Sequence, residues 1–138
     1  MLRVVLSVLL AAALVGASIP AVDEARTAAG DAAGERAAAR LVDAAAALHD
    51  RSDPGGRRPL TLSLPERSWT ADGVELRVET GGVRWRVREG EWSHRRASVP
   101  LVVPEGPVVV SGAATVELEL ALERRAGDPV VVVRRGFT

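Results

Sequence analysis

From Val4 to Val22 the chain carries no charged residue, and this run constrains the fold more than any other feature. Ten of its residues are Leu, Val or Ile, and most of the rest are Ala. As a helix, about 19 residues rise roughly 28 Å, close to the ~30 Å hydrocarbon core of a bilayer. Each Leu, Ile or Val contributes about −0.3 to −0.6 kcal/mol near the middle of a membrane helix. Ser7, Gly16, Ser18 and Pro20 reduce that total. Membrane lipid is therefore the expected partner of residues 4–22. Arg3 precedes the run, and Asp23 and Glu24 follow it. The positive-inside rule then predicts a single pass through the cell membrane, with a cytoplasmic N-terminus and an extracytoplasmic remainder. The alternative is a signal peptide: a short basic start, an apolar core, then the small residues Gly16, Ala17 and Ser18. Cleavage there would release a secreted ligand-binding β module. Both readings export residues 23–138.

Residues 21–50 are nearly half Ala, the best helix former, with Arg, Asp and Glu interspersed. Val22, Ala25, Ala29, Ala32, Ala37, Leu41, Ala45 and Leu48 trace one weakly apolar face, too small in its side chains to bury much area. Acids at the start and His49 near the end suit the helix dipole. Glu35, Arg36, Arg40 and Asp43 offer surface ion pairs. Asp53-Pro54-Gly55-Gly56 predicts a firm stop. One long helix is thus expected from about residue 3 to 50, kinked at Pro20, where a backbone hydrogen bond is missing. Gly30-x-x-x-Gly34 and Ala12-x-x-x-Gly16 have the spacing of close helix approach, although such spacings arise easily by chance in an Ala-rich stretch.

Beyond the helix the period changes to two. Leu60, Leu62 and Leu64 alternate with polar positions, as do Val74, Leu76 and Val78. Val83, Trp85 and Val87 alternate with Arg84, Arg86 and Arg88, and Val116, Leu118, Leu120 and Leu122 follow the same rule. This is the pattern of strands buried on one face. Short runs at Val99–Val103, Val108–Val110 and Val130–Val133 bring the expected number to six to eight. Thr80-Gly81-Gly82, Glu89-Gly90, Pro104-Glu105-Gly106-Pro107, Ser111-Gly112 and Ala126-Gly127-Asp128 supply the turns. The fold class is α+β: a long N-terminal helix followed by an antiparallel sheet or small β-sandwich. Its expected divisions are 1–22 as membrane anchor or signal segment, 23–52 as amphipathic helix and 57–138 as β domain. A β domain of this size gains from a helix laid over one sheet face.

Several chemistries are excluded by missing residue types. With no Cys there is no thiolate nucleophile or disulfide, and with no Lys there is no Schiff base. Basic and acidic residues balance at 18 each, so no global charge draws the chain to nucleic acid. The most reactive-looking stretch is Glu89-Gly90-Glu91-Trp92-Ser93-His94-Arg95-Arg96. Adjacent Ser93 and His94 on a strand point to opposite faces and cannot form a nucleophile–base pair. Glu89 and Glu91 have no feature beyond a polar turn to mark them as a glycosidase pair. His49 and His94 are far apart, and Asp50-Arg51-Ser52-Asp53 fails the calcium-loop spacing. The expectation is a non-enzymatic protein with no catalytic, cofactor-binding or metal site. Clustered arginines at Arg84, Arg86 and Arg88, and the doublets Arg57-Arg58, Arg95-Arg96, Arg124-Arg125 and Arg134-Arg135, could hold anions. Cross-strand pairing with Glu75, Glu79, Glu117 and Glu119 is the simpler reading. Trp69 and Trp92 are candidates for arginine stacking, and Trp85 for the core.

The segment Leu14-Val15-Gly16-Ala17-Ser18-Ile19-Pro20-Ala21, in an apolar helix that continues as an amphipathic one before a β domain, resembles the type IV pilins and pseudopilins. The likeness covers about the first 50 residues in layout. The whole chain, with Ser68-Trp69-Thr70 and Arg84-Trp85-Arg86, is similar to an uncharacterised haloarchaeal membrane-anchored family. The resemblance implies a structural or accessory role, with protein partners in a pilus-like or secretion assembly. Two departures stand out: Met1-Leu2-Arg3 occupy the place of the pilin leader, and the apolar segment lacks the acid that pilins carry near the start of the mature helix.

Overall fold

A computed structural model of the chain describes all residues except 52, 69–71, 113–114 and 137–138. The readings placed on Ser52, Trp69 and Thr70 therefore lie outside the described residues. Helix α1 runs from Leu2 to Arg51, with Pro20 inside it and no break in the helical assignment. At ~1.5 Å per residue it is about 75 Å long. His49 and Arg51 in its last turn meet the negative end of the dipole. Asp53-Pro54-Gly55-Gly56 then turns the chain back, with Gly56 N–H donating to the Asp53 carbonyl at 3.0 Å.

Eight strands follow: β1 (Arg57–Ser63), β2 (Val74–Glu79), β3 (Gly82–Val87), β4 (Ser93–Arg96), β5 (Leu101–Val102), β6 (Val108–Ser111), β7 (Thr115–Arg125) and β8 (Asp128–Arg135). They form two four-stranded sheets, ordered β1-β7-β8-β5 and β4-β3-β2-β6. The expected α+β class and the period-two strands are both present. The all-antiparallel expectation is corrected at one place, because β5 pairs with β8 in parallel. The chain reaches β5 by crossing from the second sheet, so it arrives in the opposite sense to a hairpin partner. The cross-over is tied at Thr80-Gly81: Gly81 N–H donates to Leu101 O at 3.0 Å, and Val103 N–H to Thr80 Oγ1 at 3.1 Å.

Local chemistry explains the two long hairpins. Ala126 and Gly127 both have positive φ, 52° and 87°, as the two-residue turn joining right-twisted strands demands. The turn sets Arg125 opposite Asp128 and so fixes the register of β7 on β8. On β2 and β3, Val74, Leu76 and Val78 face inward across from Val87, Trp85 and Val83.

The inner faces of both sheets and the second half of α1 share one hydrophobic core. Ala38, Leu41 and Ala45 are fully buried in it. The helix touches β2, β3 and β4 of one sheet and β1, β7 and β8 of the other, and so lies across both rather than over a single face. The expected helix face is right from Ala37 onward and wrong before it: Val22, Ala25 and Ala29 are exposed, and Gly30 and Gly34 are buried instead. Small side chains bring the helix axis close to the sheets, where the strands' Leu and Val fill the space.

The outer face of the first sheet is also partly closed. Ala121 and Val132 are buried opposite one another, away from the main core. Arg134 donates to Glu123 at 2.8 Å and Arg57 to Glu119 at 3.0 Å on the same sheet.

Candidate membrane-anchoring site

Every residue from Met1 to Ala25 is exposed, including Leu6, Leu9, Leu10, Leu14, Val15 and Ile19. Leu9 retains 62% of its surface, although elsewhere in the chain leucines are buried. A contiguous exposed apolar surface of this kind marks an interaction site. The helix is long and apolar enough to cross a membrane, and none of its most apolar stretch is buried against the rest of the chain. Ser7 and Ser18 satisfy their hydroxyls on the helix itself, donating to Arg3 O at 2.8 Å and Val15 O at 2.9 Å. They therefore cost little in an apolar setting.

The projecting half meets the domain at one polar junction. Asp72, the one buried charged side chain among the described residues, receives Arg88 Nη2 at 2.9 Å and Thr27 Oγ1 at 3.1 Å, with Arg26 Nη2 at 3.3 Å. Its backbone N–H also donates to Arg26 O at 3.3 Å. Arg26 Nη2 donates further to Ser68 O at 2.8 Å. Burial pushes the Asp72 carboxyl up, but the Arg88 and Thr27 hydrogen bonds and the two guanidinium charges outweigh it and hold the group below its usual range. A paired, hydrogen-bonded charge is the form in which a buried carboxylate is tolerated.

Two glycines bring the backbone close enough for this junction. A Cβ on Gly34 would sit 2.7 Å from Trp85 Cγ, and one on Gly30 would meet Asp72 O and Val87 Cγ1 at 3.1 Å. The Gly30-x-x-x-Gly34 spacing is therefore used, for helix on sheet rather than helix on helix. Trp85 is buried as expected and donates Nε1–H to Asp31 Oδ1 at 2.8 Å.

The arginine-rich strands resolve into ion pairs. Arg86 donates to Glu75 at 2.8 Å, Arg77 approaches the same carboxylate at 3.1 Å, and Arg84 reaches Glu79 at 3.5 Å. Arg77 and Arg84 stand opposite each other in register, a repulsive placement, and both lie over the Trp92 ring together with Arg86, at 4.6–5.0 Å from its centre. The stacking expected at Trp92 is thus present with three guanidiniums. The hydrogen bond from Arg86 holds Glu75 below its ordinary value, with burial opposing and Arg77 assisting. Arg88 departs from the expected row: β3 ends at Val87, and Arg88 turns to φ 54° to reach Asp72. The helix-surface pairs expected of Arg36, Arg40 and Asp43 are not formed, and Glu35 pairs with Arg95 at 3.9 Å.

The reactive-looking stretch is dispersed. Glu89 lies in the turn after β3, and Glu91 lines a cleft of about 420 Å³ with Glu24, Thr27 and Asp31. His94 lines a different cleft, beside Glu79, Arg84 and Arg96. Ser93 and His94 occupy successive positions of β4, opposite Trp85 and Arg84. Among the described residues no group of three or more His, Asp or Glu is placed to hold a metal ion.

A domain of unknown function, DUF7311, matches residues 1–136. The chain belongs to the DUF7311 family. The matched span takes in the exposed helix as well as the sheets, so the projecting half belongs to the DUF7311 unit itself. The match names neither a pilin nor a haloarchaeal family. No curated protein and no solved structure matches the chain.

Proposed function

We propose that this DUF7311 chain is a non-enzymatic, single-pass membrane protein. Residues 4–22 lie in lipid, the N-terminus is cytoplasmic, and the β domain is held outside as a structural or accessory component of a pilus-like or secretion assembly. The observation that carries the anchor is the exposure of ten Leu, Val and Ile side chains on one helix, each retaining 51–68% of its surface, in a chain that buries most such residues elsewhere. Arg3 before the span and Asp23 and Glu24 after it support the orientation. The first helix residue drawn against the domain is Arg26. Three residues, about 5 Å of helix, thus separate the span from the domain, which rests close to the bilayer surface. The helix that projects from a β domain, and is shared with its core, supports the pilus-like assignment.

Membrane fractionation with mass spectrometry of the mature N-terminus tests the anchor. The expected result is a full-length chain that resists carbonate extraction and loses its β domain to protease added outside the cell. A mature start between residues 18 and 22, with the chain in the medium, would replace the anchor by the secreted module. Crosslinking in intact cells tests the assembly role, which predicts recovered protein neighbours.

A further inference from the structure

The two arginines left unpaired on the helix surface, Arg36 and Arg40, are joined by Arg51 and Arg58 along a single seam between α1 and β1. Two adjoining clefts share Arg40. One, of about 310 Å³, is lined by Ala33, Arg36, Ala37, Leu62, Ser63 and Pro65 as well. The other, of about 400 Å³, has Asp43, Ala44, Ala47, Arg51, Arg58 and Leu60. Asp43 is the one acid in either lining. All four arginines are exposed, and among the described residues none of them forms an ion pair. Arg57, Arg77, Arg84, Arg86, Arg88 and Arg134 are committed to carboxylates, whereas these four guanidiniums line one seam without such a partner. β1 is also the outer strand of its sheet, with no strand beyond it.

We propose that this seam is a docking groove for an acidic peptide segment of a partner protein. Arginine forks bind carboxylates in bidentate geometry, and four along one line select a polyanion. The floor favours a peptide over a sugar or phosphate polymer: the half-buried Ala33, Ala47 and Pro65 offer apolar surface between the charges, suited to acidic residues interspersed with apolar ones. Lipid headgroups of the anchoring bilayer are out of reach. The seam starts at residue 33, eleven residues beyond Val22, or about 16 Å along the helix. A second copy in the same membrane does not fit either. Its acidic cleft, at Glu24, Asp31 and Glu91, lies some ten to fifteen residues nearer the bilayer, and matching it to the seam would shift one span by about 20 Å.

The test uses the full chain in detergent micelles, so it does not depend on how the helix is anchored in the cell. The probe is a fluorescein-labelled 12-residue peptide of alternating Glu and Val, read by anisotropy, with a Gln and Val peptide as control. The groove predicts saturable binding of the acidic peptide alone, weakened by added salt. The triple variant Arg36→Gln, Arg40→Gln, Arg58→Gln should bind about tenfold more weakly or worse. A triple variant of equal charge change elsewhere, Arg67→Gln, Arg96→Gln, Arg124→Gln, should bind as the parent does. Circular dichroism confirms that both variants fold. Equal loss in the two variants, or no loss in the first, overturns the groove. A heparin fragment or polyphosphate that binds the seam when the peptide does not overturns the peptide assignment.

Discussion

The two halves of α1 share one backbone and opposite fates. The first half carries most of the large apolar side chains and buries none of them; the second is chiefly Ala with Gly30 and Gly34, and is buried along a full face that includes Leu41, Val42 and Leu48. Apolarity by itself therefore does not decide what a helix packs against. The second half is small enough to sit close to two sheets, whose Leu, Val and Trp85 fill the gap, and it carries charges that end in solvent. The first half is bulky on all sides and has no polar face to turn outward, which suits a uniformly apolar surrounding and no protein core of this size.

The largest expected break in this contrast comes from truncating the same residue type in each half. Leu41→Ala removes a fully buried side chain and should cost about 2–5 kcal/mol of unfolding free energy. Leu9→Ala in the projecting half should leave denaturant unfolding of the domain unchanged. Similar losses in both would mean that the halves are packed alike.

Next in size is the glycine pair. Gly34→Val places methyl groups against the Trp85 ring and should cost about 1–3 kcal/mol by overpacking, measured by the shift in the urea midpoint. Gly16→Val meets nothing within 4 Å and should leave the midpoint in place.

A smaller effect should come with acid. Asp72 is held below its ordinary value near 3.8 in the folded chain. Its stabilisation is therefore complete above that value and is lost as pH falls through the lower folded one. Glu75 and Glu123 shift in the same direction, each held chiefly by an arginine hydrogen bond. Stability should be flat from about pH 7 to pH 5 in these groups and fall below about pH 4. Asp72→Asn should flatten that fall, and amide exchange should rise first at residues 26–30, where the helix enters the domain.

The smallest expected effect is at Trp92. Trp92→Ala removes the ring beneath three guanidiniums and should cost about 1 kcal/mol at this partly exposed site, read as a small drop in thermal midpoint.

Much of this contrast was legible in the residues. The uncharged run marks the projecting half, and period two marks β1, β2, β3 and β7, because a strand with one wet face must alternate. The junction was not legible. Asp72 looks like any loop acid, and its burial depends on Thr27 and Arg26, some 45 residues earlier, arriving beside it. Nor does Gly30-x-x-x-Gly34 say in sequence whether a helix or a sheet lies opposite. The parallel step of β5 on β8 was hidden too, since two residues of strand carry no directional signal. Arg36 and Arg40 looked paired because acids lie near them in the sequence; in the fold, Glu35 turns instead to Arg95.

The chain has no cysteine, so single cysteines can be placed along the exposed part of the helix and spin-labelled in lipid vesicles. Oxygen and nickel-chelate accessibility at successive positions from 4 to 25 tests the central claim most directly. The account predicts high oxygen and low chelate accessibility throughout 4–22 and a change to chelate accessibility at 23–25. High chelate accessibility across 4–22 in vesicles would contradict it.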